Sequence, residues 1–352
     1  MNFSELKYKI KSIIQYIKLP KPRYLESKDK ENIHSICLVL INVGIGDAIM
    51  ATSFIHKLKE LNKNVDVIIA KKNTEIFLGN SDIRNVILSD DNKWSETIYD
   101  LVVDPYSHCG WFFAYKYYKL LKNIKYNYLS GFNVKFPSKY NDNFKASNGI
   151  HITDYYNHIL KTFFVSEIEG NYIVNIPANE LDNARNKLEC ISPSDLKIAF
   201  CPFASTLERS FSDDQVNAVL ATLKKIKNIS VIMLCEEHRA KNINVGENVY
   251  FFKTASFISS AAILSLCDFC ISSDTSFVHL ANSKNIPLLA FYSSVYNDGF
   301  NTDFLCAPNY TKSKQIIEPT GIKNIPVDKI ITEILDEINS YHLIAGSLKT
   351  SS

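Results

Sequence analysis

CDFCISSDTSFVHLANSKNIPLLAFYSS, residues 267–294, decides the architecture of this chain. It reads as an apolar strand, a polar turn, a short helix opened by Asp274-Thr275-Ser276, and a second apolar strand. Such a unit gathers Asp274, Thr275, Ser276 and His279 where one strand ends and the next helix begins. Open α/β sheets bind ligands at that position. Free backbone N–H groups and the helix dipole favour an anion there. A carboxylate, two hydroxyls, an imidazole and a ring of amides therefore point to a phosphorylated ligand.

The same alternation of strand and helix extends in both directions. Ser35–Asn42 is uniformly apolar, as a strand buried on both faces of a parallel sheet should be. The turn Val43-Gly44-Ile45-Gly46 leads from it into an amphipathic helix from Asp47 to Leu61. Val65–Ala70, Asn85–Leu88 and Thr97–Val103 read as further strands, and Trp111–Leu121 and Thr153–Phe164 as helices. The pattern resets around Asn175–Asn179. Leu196–Cys201 is again a buried strand, followed by a polar loop and by the capping box Ser212-Asp213-Asp214-Gln215. Ser230–Leu234 and Ile258–Leu266 continue the alternation, Val327–His342 is a last helix, and Gly346–Ser352 a loose tail. Two successive runs of βα units predict two Rossmann-like domains facing one cleft, 33–175 and 178–342.

Composition narrows the class of function. With 352 residues, 46% hydrophobic content and a formal charge of +2, the chain has room for two cores and no bias toward nucleic acid. No apolar run reaches the length of a membrane span and no signal peptide is visible, so a cytoplasmic protein is expected. The eight cysteines are scattered, several within apolar runs (Cys37, Cys201, Cys235, Cys270), which favours reduced core residues. Cys267 and Cys270 have the spacing of a metal pair but lack a second pair. Residues 1–24 stand apart. Phe3, Leu6, Ile10, Ile13, Ile14 and Ile17 recur at helical spacing among six basic residues. Such a basic amphipathic helix either lies on an anionic membrane surface or docks on the body of the protein.

Three loops carry the chemistry. Gly44 and Gly46 let the backbone turn tightly before Asp47, but Ile49 occupies the third small position of the dinucleotide fingerprint, which disfavours a nicotinamide enzyme. Asp47 is then either a helix cap or a catalytic carboxylate. In Pro202–Ser212, Ser205 and Thr206 can donate to phosphate oxygens and Arg209 can hold negative charge bidentately. Asp274-Thr275-Ser276 is the third loop, with a helix cap as its plainer reading.

Together these loops resemble one family. Gly46-Asp47 after the first strand, Pro-Phe-Ala-Ser followed by Arg209-Ser210-Phe211-Ser212, and DTSFVHLANSKNIP look like family 9 glycosyltransferases, the bacterial ADP-heptose:lipopolysaccharide heptosyltransferases. That family's third motif, Asp-Thr-Gly-x-x-His-Leu-Ala-x-Ala-x-x-x-Pro, is matched by Asp274, Thr275, His279, Leu280, Ala281 and Pro287. Ser276 replaces the glycine, Arg209 stands where many members have lysine, Phe211-Ser212 replaces Trp-Pro, and Asn282-Ser283 replace small apolar residues.

The resemblance implies a GT-B fold, with an N-terminal acceptor domain and a C-terminal donor domain. It implies inverting, metal-independent transfer without a cofactor, moving a heptose from ADP-heptose to a lipopolysaccharide or lipooligosaccharide core. The absence of any Asp-x-Asp triplet agrees with metal independence. Asp47, beside Gly46, would be the general base, and Arg209 would stabilise the leaving diphosphate with Ser205, Thr206, Thr275, Ser276, Phe277 and His279. Asp274 would bind sugar hydroxyls, and Glu237, after the strand ending at Leu234, would help read the sugar or nucleotide. Lys116 and Lys119, in a helix rich in aromatics and lysines, would suit a lipid-linked anionic oligosaccharide at the inner face of the cytoplasmic membrane. Two other readings share the architecture, a nucleotide-sugar epimerase and a non-catalytic sugar-nucleotide binder.

Overall fold

The computed structural model describes residues 3–23, 26, 30–91, 96–146, 148–244, 246–294, 296–297 and 300–349. The chain divides into two compact units. Residues 1–175 and 296–306 form the first, and residues 176–295 and 307–352 the second.

The first unit begins with helix α1 (Phe3–Ile17) and then winds a parallel sheet from β1 (Ser35–Leu40), β2 (Asn64–Ile69), β3 (Ile83–Leu88), β4 (Ile98–Asp104), β5 (Lys125–Phe132) and β6 (Asp142–Phe144). Helices α2 (Ile45–Glu60), α3 (Thr74–Phe77), α4 (Trp111–Leu121) and α5 (Ile152–Phe164) connect or flank the strands. The spatial order is β3-β2-β1-β4-β5-β6, with every pairing parallel. Ile36 to Leu40 are fully buried, which is why their run shows no polar alternation.

The second unit holds α6 (Ala178–Leu188), β7 (Leu196–Cys201), α7 (Asp213–Leu223), β8 (Ile229–Met233), β9 (Val249–Phe251), α8 (Phe257–Leu264), β10 (Phe269–Ser273), α9 (Ser276–Ser283) and β11 (Leu288–Tyr292). A two-residue hairpin, β12 (Tyr296–Asn297) and β13 (Phe300–Asn301), and the short α10 (Thr302–Leu305) belong to the first unit. The chain then completes the second sheet with β14 (Ser313–Ile317) and ends in α11 (Val327–Lys349). The order β14-β11-β10-β7-β8-β9 repeats the first sheet's winding, since in both the first and fourth strands of the unit lie side by side. Connections leaving those two strands depart to opposite sides, which opens a crevice at their C-terminal ends.

Asparagine, not glycine, turns the chain after several elements. Asn62 past α2 and Asn285 past α9 adopt left-handed backbone, at φ of 56° and 53°. Behind them Lys63 N–H reaches Leu58 O at 2.9 Å and Ile286 N–H reaches Ala281 O at 3.0 Å, closing each helix in the Schellman manner. The capping box at Ser212 forms as expected, with Ser212 N–H donating to Gln215 Oε1 at 2.9 Å.

Four sequence expectations need correction. The polar stretch from Pro137 to Asn148 contains the edge strand β6, and Ser313–Ile317 forms β14 where no strand was foreseen. The final helix continues through Gly346 to Lys349, so the tail begins later than expected, and residues 350–352 lie outside the described residues. Cys235 is only half-buried, whereas Cys37, Cys201 and Cys270 are core residues.

Candidate active site

The C-terminal ends of β7 and β10 carry the two loops singled out in the second unit. β7 feeds the Pro202–Ser212 loop, which folds back so that Phe211 N–H donates to Pro202 O at 3.0 Å. Buried Ser210 staples it from inside, its hydroxyl accepting from Ala204 N–H at 2.9 Å and donating to Thr206 O at 2.8 Å. The far side is held by Ile322 N–H, which donates to Glu208 O at 2.9 Å. Ser205 and Thr206 are left exposed at the tip of a loop whose base is fixed.

Arg209 crosses from this loop to the other. Its Nη2 donates to Ser205 Oγ at 2.6 Å, and its Nη1 lies 3.4 Å from Asp274 Oδ2. Asp274 is 4% exposed and immediately follows β10. A buried carboxylate of this kind needs hydrogen bonds or a counter-charge, and Arg209 supplies one. Thr275, not Asp274, is the N-cap of α9, its hydroxyl accepting from Phe277 N–H at 3.2 Å and meeting Ser272 Oγ at 3.1 Å. Ser276 opens the helix, Phe277 packs on Phe257 with ring centroids 5.5 Å apart, and His279 is 3% exposed. The structure thus brings together Ser205, Arg209, Asp274 and the α9 start.

Glu237 opens a short 3-10 turn after β8, and its exposed carboxylate pairs with Lys253 at 3.0 Å. The residue of that turn which does reach the loop is Arg239. Its guanidinium stacks 4.7 Å from the Phe203 ring centroid, and Nη2 lies 3.4 Å from Ser210 Oγ. Arg239 lies two residues past Glu237, and no motif in the sequence marks it. Asn282, one of the departures from the family pattern, donates from Nδ2 to Pro308 O at 3.0 Å and Asn309 O at 3.3 Å. A small apolar residue could not tie α9 to that segment.

In the first unit Asp47 stands in the opening turn of α2, just past β1. Its Oδ2 accepts from Gly44 N–H at 2.8 Å, a carboxylate held over a helix N-terminus. A Cβ on Gly44 would sit 3.3 Å from that oxygen, so the glycine leaves the carboxylate room. Gly46 precedes it in the same turn. Asp47 is partly exposed and its charge acts on the buried hydroxyls of Tyr106, Tyr117 and Tyr156, all pushed above the ordinary tyrosine range chiefly by burial.

Tyr106 belongs to the segment leaving the end of β4, Asp104–Gly110. Asp104 is fully buried and its carboxyl is pushed up to about 6 by desolvation, although Tyr140 Oη donates to it at 2.5 Å and Ser107 N–H at 3.0 Å. Four residues on, burial lowers His108 to about 4, with Lys135 adding to the effect. Lys116 and Lys119 are exposed on α4. They line a cavity of about 370 Å³ with Ile41, Ala70, Ser89 and Asp90, residues that follow β1, β2 and β3. Among the described residues no group of three or more His, Cys, Asp and Glu side chains is placed to hold a metal ion.

A sequence profile described as Glycosyltransferase family 9 (heptosyltransferase) matches residues 144–319, half of the chain. The chain belongs to this family. Among curated proteins it is 21% identical over 322 residues to the "Putative lipopolysaccharide heptosyltransferase 4" of Escherichia coli (strain K12), covering 87% of this chain and 88% of that one. Among solved structures, a family 9 glycosyl transferase from Veillonella parvula DSM 2008 superposes with a TM-score of 0.71 at 14% identity. The match covers 88% of this chain and 98% of that one. The E. coli ADP-heptose lps heptosyltransferase II gives 0.66 at 14% identity, over 89% and 99%. Two six-stranded parallel sheets with helices on both sides are the GT-B fold of these structures. This family 9 member is a glycosyltransferase.

Proposed function

We propose that the chain is an inverting glycosyltransferase moving a heptose from ADP-heptose to a lipopolysaccharide or lipooligosaccharide core acceptor, without a metal ion. The observation that carries this reading is the Arg209 guanidinium anchored between Ser205 and Asp274 at the β7/β10 crevice. A cation, hydroxyls and the α9 N-terminus converge there, as a departing diphosphate requires. The second unit is the donor-binding half and the first the acceptor-binding half. The names of two similar proteins, the "Putative lipopolysaccharide heptosyltransferase 4" and the ADP-heptose lps heptosyltransferase II, support the choice of sugar and acceptor.

In this reading Asp47 takes the proton of an acceptor hydroxyl. The oxygen attacks the anomeric carbon from the face opposite the nucleotide, and the bond from that carbon to the diphosphate breaks. Its electron pair leaves with the diphosphate, where Arg209, Ser205, Thr206, Thr275 and the amides of Ser276 and Phe277 share the added charge. His279 belongs with the groups that face the diphosphate, and Asp274 contacts the sugar. Lys116 and Lys119, at the cavity beyond β1–β3, attract the anionic acceptor. The enzyme acts at the inner face of the cytoplasmic membrane, where a lipid-linked core is reached from the cytoplasm.

Incubation with ADP-heptose and a heptose-deficient core acceptor tests the reading. The expected products are ADP and an acceptor heavier by one heptosyl residue, with the anomeric configuration inverted. Isomerised nucleotide-sugar formed without acceptor would instead establish an epimerase. No consumption of any nucleotide-sugar would sink the enzyme reading.

A further inference from the structure

Helix α1 is docked the wrong way round for a surface helix. Amphipathic helices normally turn their apolar stripe toward the core. Here the docked face is polar and aromatic, with Tyr8, Ser12 and Tyr16 one turn apart. Ser12 is fully buried and donates to Trp111 O at 2.9 Å. Tyr8 meets Phe112 edge-on at 5.0 Å, and Tyr16 packs on Tyr118 and Phe136 at 5.5 and 4.9 Å. Tyr16 Oη also bonds Ser138 Oγ at 2.6 Å, and Lys139 Nζ donates to Leu19 O at 3.0 Å. These contacts pin the helix to α4 and the loop beyond β5.

The apolar stripe faces outward. Phe3, Leu6, Ile10, Ile14 and Ile17 recur every three or four residues and are 86%, 41%, 51%, 47% and 67% exposed. Exposed apolar surface on this scale marks an interaction site. Lys7 and Lys18 are exposed beside the stripe and Lys11 is half-buried next to them, while Lys21 and Arg23 follow the helix. Residues 3–23 carry six basic side chains against one acidic, Glu5.

We propose that α1 is an in-plane membrane anchor, its Phe3–Ile17 stripe inserting into an anionic bilayer while the flanking lysines meet the headgroups. Charge selects the occupant. An apolar ridge bordered on its flank by basic residues matches an acidic lipid surface, and each basic residue near such a surface contributes about 1 kcal/mol. The polar face, already satisfied by α4, leaves the helix folded before it binds, so no ordering cost accompanies insertion. Because α1 is fastened to the helix that carries Lys116 and Lys119, anchoring holds that helix against the bilayer. The link to a lipid-linked acceptor rests on the function proposed above; the anchoring itself does not.

Flotation of the full chain, without donor or acceptor, with phosphatidylcholine vesicles and with vesicles also containing phosphatidylglycerol, is the test. Binding is expected to the anionic vesicles only, falling as salt rises. Replacing Ile10, Ile14 and Ile17 together by serine should weaken it on the order of a hundredfold or more. Lys7→Glu with Lys18→Glu should weaken it by roughly thirtyfold or more. Unchanged circular dichroism would show that these exposed positions leave the fold intact. In transfer assays the isoleucine variant should keep its rate on a detergent-free soluble acceptor and lose it on vesicle-embedded acceptor. Full-chain protein that fails to float, or a serine variant that floats as well as the parent, would overturn the anchor. So would a dimer that the serine variant dissociates, because a second copy would then cover the stripe. Failure of transfer with intact flotation would count against the enzymatic reading alone.

Discussion

Asp47 already has a structural task, because its carboxylate closes the first turn of α2 by accepting from Gly44 N–H. That separates two effects in one substitution. Asp47→Asn keeps an oxygen acceptor for the turn but removes the proposed base. Turnover should fall about 10²–10⁴-fold, the usual worth of a positioned base, with little change in melting temperature. A variant with near-normal transfer rates would remove Asp47 from catalysis. Arg209 presents the complementary case. Arg209→Ala deletes the cation proposed to stabilise the leaving group and should cost a few kcal/mol of barrier, roughly 10²–10³ in kcat. Arg209→Lys keeps the charge without the two-pronged hold on Ser205 and Asp274, and should fall between the two. Equal losses for both variants would mean that charge at this position does not matter. At this scale the sequence was informative wherever a motif named a residue type. It was silent on Arg239, whose place over Phe203 depends on how the turn after β8 folds, and on Thr275 acting as the helix cap in place of Asp274.

The Asp104–Gly110 segment shows what burial does at the level of an element. Desolvation raises the carboxyl of Asp104 from 3.8 to about 6, so the folded state holds its proton more tightly than the unfolded one. Stability therefore drains away as pH climbs from about 4 to about 6, by up to roughly 3 kcal/mol at about 1.36 kcal/mol for each pH unit. His108 does the reverse. Lowered from 6.5 to about 4, it is kept neutral by the fold, and its contribution is present above about 6.5 and lost as pH falls toward 4. The two slopes oppose one another over the same window and largely mask each other in the parent protein. Urea unfolding of Asp104→Asn and His108→Gln from about pH 4 to 7 should unmask them. The parent's advantage over the first variant should shrink as pH rises, and its advantage over the second should grow. Differences independent of pH would show that neither group is perturbed. Element boundaries were legible where burial was complete, as in β1 and β7. β14 escaped because Ser313-Lys314-Gln315-Ile316-Ile317 is an edge strand, only partly buried, and lacks the apolar run of its neighbours. α11 outran its expected end because a single glycine, Gly346, weakens a helix by only about 1 kcal/mol.

Across the whole molecule, two sheets wound in one order were foreseeable from the repeated βα rhythm, and the reset near residue 175 falls where the two units meet in sequence. The loops proposed to bind the diphosphate both belong to the second unit, so nucleotide ligands should stabilise that unit in particular. At about 100 times its Kd a ligand adds roughly 2.7 kcal/mol, several degrees in melting temperature for a body of this size. In a thermal panel of nucleotide-sugars, ADP-heptose should give the largest shift, with ADP alone giving part of it. No shift with any nucleotide would contradict a donor site there. What the rhythm did not reveal is the return of residues 296–306 to the first unit, where Asn301 N–H donates to Asn148 Oδ1 at 2.8 Å and Asp303 is buried. During synthesis, domains generally fold as units in N-to-C order. Here the first unit must wait. Its last piece leaves the ribosome only after β7 to β11 of the second unit have been made, so most of the second unit exists before the first can close.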